Sequence, residues 1–288
     1  MSDIALGYGT NGFADHRLDD ALEVISGHGY GAVALTLGHP PLDPFAEGWD
    51  DRARELALQL RERDLRVVVE TGTRYLLDPW RKHRPTLVDR DAAPRISFLR
   101  RAVEIAALLE ADCVSLWSGV LPEDVTEHEA WDLMSARLEG VLEHAAAHEV
   151  LLAVEPEPGM VVETVADALA LRERLGDPEG LGITVDLGHC VAVEPDGVVG
   201  ALRAAGPLLL NVQVDDMLPG VHEHLELGTG DLDLVAAFAT LHEIGYGGVA
   251  AVELPRHSHD APRLARTSMA AMQEALAAVA APALEGAR

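Results

Sequence analysis

The chain of 288 residues contains two cysteines, Cys113 and Cys190, and one lysine, Lys82. So few cysteines exclude a disulfide framework and a cysteine-based zinc site. A single lysine leaves one candidate for Schiff-base or lysine general-base chemistry. No apolar run approaches the ~18–20 residues of a membrane span. Met1-Ser2-Asp3 lacks the basic-then-apolar pattern of a signal peptide. A cytoplasmic location, with no membrane partner, is therefore expected. Positive charge is also scarce: Lys+Arg is 22 against 48 Asp+Glu, a formal net charge of −26. Such a surface repels nucleic-acid backbones and anionic headgroups, so no nucleic-acid partner is expected.

With 48% hydrophobic and 24% charged residues, the composition excludes a disordered chain. Short β-branched runs at 4–9, 32–37, 66–70, 113–117, 150–155, 182–187, 209–214 and 248–254 read as strands. Amphipathic runs near 17–28, 50–63, 93–110, 127–147, 163–174, 195–204, 231–243 and 261–282 read as helices. Several strands are almost wholly apolar, as expected when a parallel sheet is covered on both faces. Eight strand–helix pairs in under 300 residues give the arithmetic of a (β/α)8 TIM barrel, an α/β fold in one domain spanning 1–288. A doubly wound sheet would place a Gly-rich phosphate turn after its first strand, but here Thr10-Asn11-Gly12-Phe13 follows.

Active sites of such barrels lie at the C-terminal ends of the strands. There the fifth strand ends in Glu155 and the sixth in Asp186; the seventh carries Gln213 and the eighth ends in Glu253. One polar residue closing an apolar strand anchors a loop as readily as it serves a site. Four on consecutive strands point further, because three converging carboxylates repel unless a cation holds them. All-oxygen ligation suits one divalent ion, Mn²⁺ or Mg²⁺, with Co²⁺ or Zn²⁺ as alternatives. His189, His222, His224, His257 and His259 follow the last three of these strands, as ligands, substrate donors or proton relays. Trp117, closing the fourth strand, either stacks on a sugar face or packs the rim. The segment 72–92, with Arg74, Arg81, Lys82 and Arg84, reads as a lid whose cations bind a phosphate or are simply solvated. Asn11 and His39 end the first two strands and line the expected pocket, while the tail from Ala281 is expected to fray.

These residues resemble the xylose-isomerase-like barrel superfamily. The likeness rests on Val-Glu-Pro at 154–156, Asp-x-x-His at 186–189, Gln213 followed by a His-containing loop and Gly-Thr-Gly at 228–230, and Gly-Tyr-Gly-Gly at 245–248. It covers essentially the whole chain. It is closest to the branch of hydroxypyruvate isomerase, ketose 3-epimerases and inosose-processing enzymes. The resemblance implies that Glu155, Asp186, Gln213 and Glu253 bind the metal, and that Glu155 and Glu253 are also the acid/base pair. It places His189 on the substrate, and His222, His224, His257 and Trp117 are candidates beside it. The hydroxypyruvate branch carries an arginine soon after the seventh strand; none occurs between Gln213 and Gly230 here.

The implied chemistry is proton abstraction beside a carbonyl, with a divalent ion stabilising the enediolate. Return of the proton from the opposite face gives epimerisation, and its transfer to the neighbouring carbon gives isomerisation. Expulsion of a β-substituent gives the lyase alternative, dehydration of an inosose or cleavage of a 3-keto-C-glycoside; a metal-dependent hydrolase or endonuclease is a further one. The expected partner is a small carbohydrate or cyclitol, and a homo-oligomer is compatible with the sequence.

Overall fold

The computed structural model describes residues 4–38 and 41–281; His39 and the tail beyond Ala281 lie outside the described residues. Ten strands occur among them: β1 (Ala5–Gly9), β2 (Ala32–Thr36), β3 (Arg66–Glu70), β4 (Val114–Trp117), β5 (Leu152–Glu155), β6 (Leu181–Asp186), β7 (Leu209–Val214), β8 (Asp216–Leu218), β9 (Val221–Leu225) and β10 (Val249–Val252). Eight of them close a parallel barrel in the order β1-β10-β7-β6-β5-β4-β3-β2, while β8 and β9 form a separate antiparallel hairpin. The α-helices are α1 (Leu18–Gly27), α2 (Trp49–Glu62), α3 (Ala93–Leu109), α4 (Glu127–Ala147), α5 (Val165–Arg174), α6 (Leu187–Val193), α7 (Gly197–Ala205), α8 (Leu234–Glu243) and α9 (Ala261–Ala280).

The eight strands and eight longer helices expected from periodicity are present, with ends shifted by up to three residues. Two elements differ. The stretch after Asp186 forms α6, a short helix capped by the Asp186 side chain, which accepts from the His189 N–H at 2.8 Å. The His-containing loop after Gln213 holds a strand, β9. Only Val221 and Leu225 are apolar there, so the alternation of a strand is hidden by His222, Glu223 and His224.

Side chains alternate across a strand, and this period of two positions the site. Outward residues such as Val33, Leu35, Val67, Val69, Val154 and Ile183 join the core beneath the helices. Inward residues lower in the barrel are small: Ala32, Ala34, Val68, Cys113, Ala153, Val249 and Ala251 pack together. The interior is tight at this level, since a Cβ on Gly7 would lie 3.1 Å from that of Ala251 and 3.2 Å from that of Ala32. One step of two further on, at the C-terminal rim, the same inward rows carry Thr36, Glu70, Ser115, Glu155, Asp186, Gln213 and Glu253. Small residues below thus give way to polar ones above.

The long connection from β3 to α3 is tied to the barrel by a buried guanidinium. Arg95, 2% exposed, donates to the carbonyls of Thr71 (3.0 Å), His83 (2.8 Å) and Pro85 (2.9 Å) and to Thr73 Oγ1 (3.1 Å). Burial lowers its pKa to about 9, so it stays a cation at neutral pH. Replacing it with an uncharged chain of similar length would strand several buried acceptors at about 1–3 kcal/mol each. Arg95→Met should therefore lower unfolding stability by about 3 kcal/mol or more and speed amide exchange across 72–85. Wild-type urea melting and exchange in that variant would show that the segment holds itself.

Candidate active site

A cavity of about 410 Å³ opens at the C-terminal end of the barrel. Glu155, Gln213, Glu253, His189, His222, His224 and Trp117 line it, with Asn11, Thr36, Glu70, Ser115 and Glu157. Asp186 lies just beneath, and ligand oxygens of Glu155, Asp186 and Glu253 all fall within 4.8 Å of one another. All four strand-end residues from β5, β6, β7 and β10 therefore meet in one place.

Each is held by a neutral or acceptor group that leaves another atom free. Ser115 Oγ donates to Glu155 Oε2 at 3.3 Å, and Asn11 Nδ2 to Glu253 Oε1 at 2.8 Å. Asp186 Oδ1 accepts from the His189 backbone; its Oδ2 is buried with no donor, and the neighbouring Asp215 carboxyl, itself pushed well above the aspartate range by burial and then by Asp186, is the group that can share a proton with it. Gln213 Nε2 donates to Glu70 Oε1 at 3.0 Å, and Gln213 Oε1 is likewise buried and unpartnered. Glu70 is fixed in turn, its Oε2 accepting from Thr36 Oγ1 at 2.7 Å. Buried polar atoms are ordinarily satisfied. Two orphaned oxygens beside three clustered carboxylates are the donor set that a hard divalent cation fits.

The electrostatics agree. Burial, then the charges of Glu157, Glu253, Asp186 and Glu70, pushes the Glu155 carboxyl well above the usual range. Burial, then Glu70, Asp186 and Glu157, does the same to Glu253. Burial alone would raise Asp186 too, but the imidazoles of His189 and His224 and the His189 N–H hold it below the aspartate range.

The histidines form a second layer. His189 Nδ1 lies 3.2 Å from the Pro156 carbonyl, which can only accept, so Nε2 is left as the ring's acceptor. His222 and His224 are two apart on β9 and so share the face turned to the cavity. Their rings stand 4.8 and 5.6 Å from that of His189. Burial first, then the neighbouring His189, lowers His222 to about 4. His224 is lowered to about 3, mainly by burial, and both rings are neutral at pH 7. His224 Nδ1 is held against Asp215, a buried carboxyl that the sequence reading missed. Gly188 is required there, because a Cβ would meet Asp215 Oδ1 at 2.1 Å.

Two expectations need correction or refinement. His257 does not line the cavity: beyond Pro255 the chain turns away and its ring stacks on His259 at 6.4 Å, while Arg256 takes the place at the rim. Trp117 lines the cavity, but the Arg95 guanidinium covers its ring at 4.3 Å and His83 meets it edge-on at 5.6 Å. Gly228 and Gly230 wrap Asp216, which accepts from the Gly228 and Leu232 N–H groups at 2.9 Å each. Glu70 was overlooked as a site residue although it closes Arg66–Glu70 just as Glu155 closes its own strand.

A family model described as xylose isomerase-like TIM barrel matches residues 22–275, and the chain belongs to that family. L-ribulose-5-phosphate 3-epimerase UlaE of Escherichia coli is 26% identical over 228 residues, 77% of this chain and 80% of that protein. A D-tagatose 3-epimerase-like protein has the same fold, with a TM-score of 0.76 and 20% identity over 96% of this chain and 98% of that one. The zinc-bound IOLI protein superposes with a TM-score of 0.74 and 19% identity, over 98% of this chain and all of the other.

Clustered carboxylates of raised pKa retain protons that a cation must displace. Chelator-stripped protein given Mn²⁺ or Mg²⁺ should gain thermal stability and release protons near neutral pH, measured by calorimetry in buffers of different ionisation enthalpy. The gain should shrink on acidification, as protons compete. Titration without stabilisation and without proton release would show that the cluster holds no ion.

Proposed function

We propose that this chain is a divalent-metal-dependent epimerase or isomerase of a ketose-like carbohydrate, with Glu155 and Glu253 as its proton-transfer groups. One observation carries the reading. Two carboxylates enter one cavity from the ends of β5 and β10, each with one oxygen fixed by a neutral donor and, among the described residues, no hydrogen bond to the other. A cation at this cluster would displace the protons that burial retains, so the two act from their free oxygens: one takes a proton from carbon and the other, once protonated, returns one.

Glu155, Asp186, Gln213 and Glu253 would hold the ion, through the unpartnered Asp186 Oδ2 and Gln213 Oε1 among others. When bound, the ion would supply positive charge where the carbonyl oxygen gains negative charge. Three carboxylates and an amide favour Mn²⁺ or Mg²⁺, with Co²⁺ and Zn²⁺ also accommodated. Glu70 is a positioning residue. As an acceptor for Gln213 Nε2 it turns the amide so that Oε1 faces the carboxylates. His189, through Nε2, and His222 are placed to contact substrate hydroxyls. The kinship with a sugar-phosphate 3-epimerase, and the fold shared with a tagatose-epimerase-like protein and with IOLI, support a carbohydrate substrate.

Glu155→Gln and Glu253→Gln keep an oxygen ligand and remove the proton acceptor. Each should lower turnover of an accepted ketose by ~10²–10⁴-fold, the usual worth of such a group. The two need not fail alike: the variant that still abstracts should exchange substrate hydrogen with solvent deuterium, read by proton NMR. Wild-type turnover in both would move the chemistry elsewhere.

Glu70→Met touches no ion directly. It should weaken divalent binding by ~10–100-fold, as loss of an orienting partner does. Unchanged affinity would leave Gln213 oriented by other means.

A further inference from the structure

Positive charge is scarce in this chain, with 22 Lys+Arg against 48 Asp+Glu, yet three cations line the mouth of the one cavity that holds the carboxylates: Arg74, Lys82 and Arg256. Two arise from the β3–α3 connection and one from the segment after β10, so the grouping is tertiary and not a run in sequence. Among the described residues, neither Arg74 nor Lys82 has a carboxylate within ion-pair distance. Arg256 has one, Glu223, at 3.2 Å on the outer face of β9.

The backbone presenting them is built. Arg74 and His83 both adopt left-handed φ, 46° and 63°. The Arg74 N–H donates to His83 Nδ1 at 3.1 Å, and the His83 N–H donates to the Arg74 carbonyl at 2.5 Å. Arg95 then clamps the His83 carbonyl from below. This closed loop carries Arg74 at its start and Lys82 beside its end. Burial first, then the charges of Lys82, Arg95 and Arg74, lowers His83 to about 4, so it braces the loop as a neutral ring. Burial, then the like charges of Arg74 and Arg256, lowers the Lys82 ammonium against the opposing charge of Glu157.

Crowded cations repel unless an anion joins them, and Glu157, the carboxylate of the cavity wall whose charge reaches Lys82, lies beyond ion-pair distance of it. We propose that Arg74, Lys82 and Arg256 form a phosphate subsite at the cavity mouth, and that the substrate is a phosphorylated ketose whose carbonyl end reaches Glu155 and Glu253. The charge balance selects the group. A phosphate monoester carries about −1.5 to −2 at pH 7. Glu157 offsets Lys82 from a distance, and with no carboxylate in contact with Arg74 or Lys82 a doubly charged group answers the pair more fully than a carboxylate, and a neutral sugar not at all. Arg forks and a lysine point charge are also the side chains that phosphate oxygens take as donors. The inference rests on the carbohydrate reading above and narrows it.

The test uses the metal-loaded protein and a matched pair of probes, D-ribulose and D-ribulose 5-phosphate, with inorganic phosphate and glycolate as isolated anions, titrated calorimetrically at low salt. Inorganic phosphate should bind and compete with D-ribulose 5-phosphate, which should bind at least ~10-fold more tightly than D-ribulose, about the worth of one hydrogen bond to a charged group. Lys82→Gln and Arg74→Gln should each weaken phosphate by ~10-fold, leaving metal content and D-ribulose binding as they were. Both side chains sit at the open cavity mouth, and circular dichroism verifies the fold of each variant.

Equal affinity for the two ribuloses, phosphate binding indifferent to both variants, or glycolate bound as tightly as phosphate would each overturn the subsite. Failure of the catalytic reading looks different. No solvent deuterium would enter any ketose, while the phosphate titrations and their loss in the variants would stand.

Discussion

Glu155, Asp186 and Glu253, the first two buried and the third half-buried, bring acidic oxygens within 4.8 Å of one another. Much of the upper barrel is arranged around tolerating that repulsion. The strands cannot avoid the encounter. Parallel register and a period of two send the last inward residue of every barrel strand toward the same axis. The tight packing of Ala, Gly, Val and Cys below leaves no room to retreat downward. What remains is to neutralise the group or to hold each member so that it can be neutralised. Asn11 and Ser115 fix one oxygen each of Glu253 and Glu155, and the start of α6 fixes one oxygen of Asp186. The free oxygens are left to converge.

Stability against pH follows the same constraint. Glu155 and Glu253 have folded pKa values raised above the unfolded value near 4.5, so the native state binds the extra protons. Their contribution is present below that pH and is lost as pH rises through the raised values. His222, at about 4, and His224, at about 3, act in the opposite sense. Their folded pKa values lie below the unfolded value near 6.5, so their contribution is present above it and declines as pH falls toward 4. Between about 4.5 and 6.5 both groups oppose folding. A cation among the carboxylates removes the first opposition and leaves the second. The two layers of the site thus respond to different variables, one to metal and one to protons.

How much of this was legible beforehand depends on whether the signal was local. A lone polar residue closing an apolar strand stands out, and it gave Glu155, Asp186, Gln213 and Glu253 their places. His222 and His224 were found as neighbours of the site, but their shared direction needed β9, whose alternation is concealed by polar residues. Glu70 shows the limit. It closes a strand as plainly as Glu155 does, yet its use lies in partnering Gln213, 143 residues later. That contact exists only once the barrel closes. His257 fails for the converse reason. Nearness in sequence to a strand end fixes position but not direction, and the chain turns at Pro255. Trp117 was correctly placed at the rim, but the covering of its ring by Arg95 depends on a buried guanidinium that no periodicity marks.

The net charge of −26 and the basic mouth of the cavity are two parts of one electrostatic arrangement. A uniformly acidic surface discourages anions at every approach, and an acidic cluster on the barrel axis discourages them further. A negatively charged substrate could enter such a molecule only where the field is locally reversed. Arg74, Lys82 and Arg256 reverse it at the opening of the cavity, and Glu155, Asp186 and Glu253 restore it at the floor. A ligand negative at one end and neutral at the other is thereby oriented before it makes a hydrogen bond. Its charged end is repelled by the floor and held at the mouth, which directs the neutral, carbonyl-bearing end inward. Orientation of this kind comes from the order of charges along the barrel axis, and that order is set by which loops follow β3 and β10. The same barrel with a neutral connection after β3 would keep its carboxylate site and lose its means of telling one end of a substrate from the other.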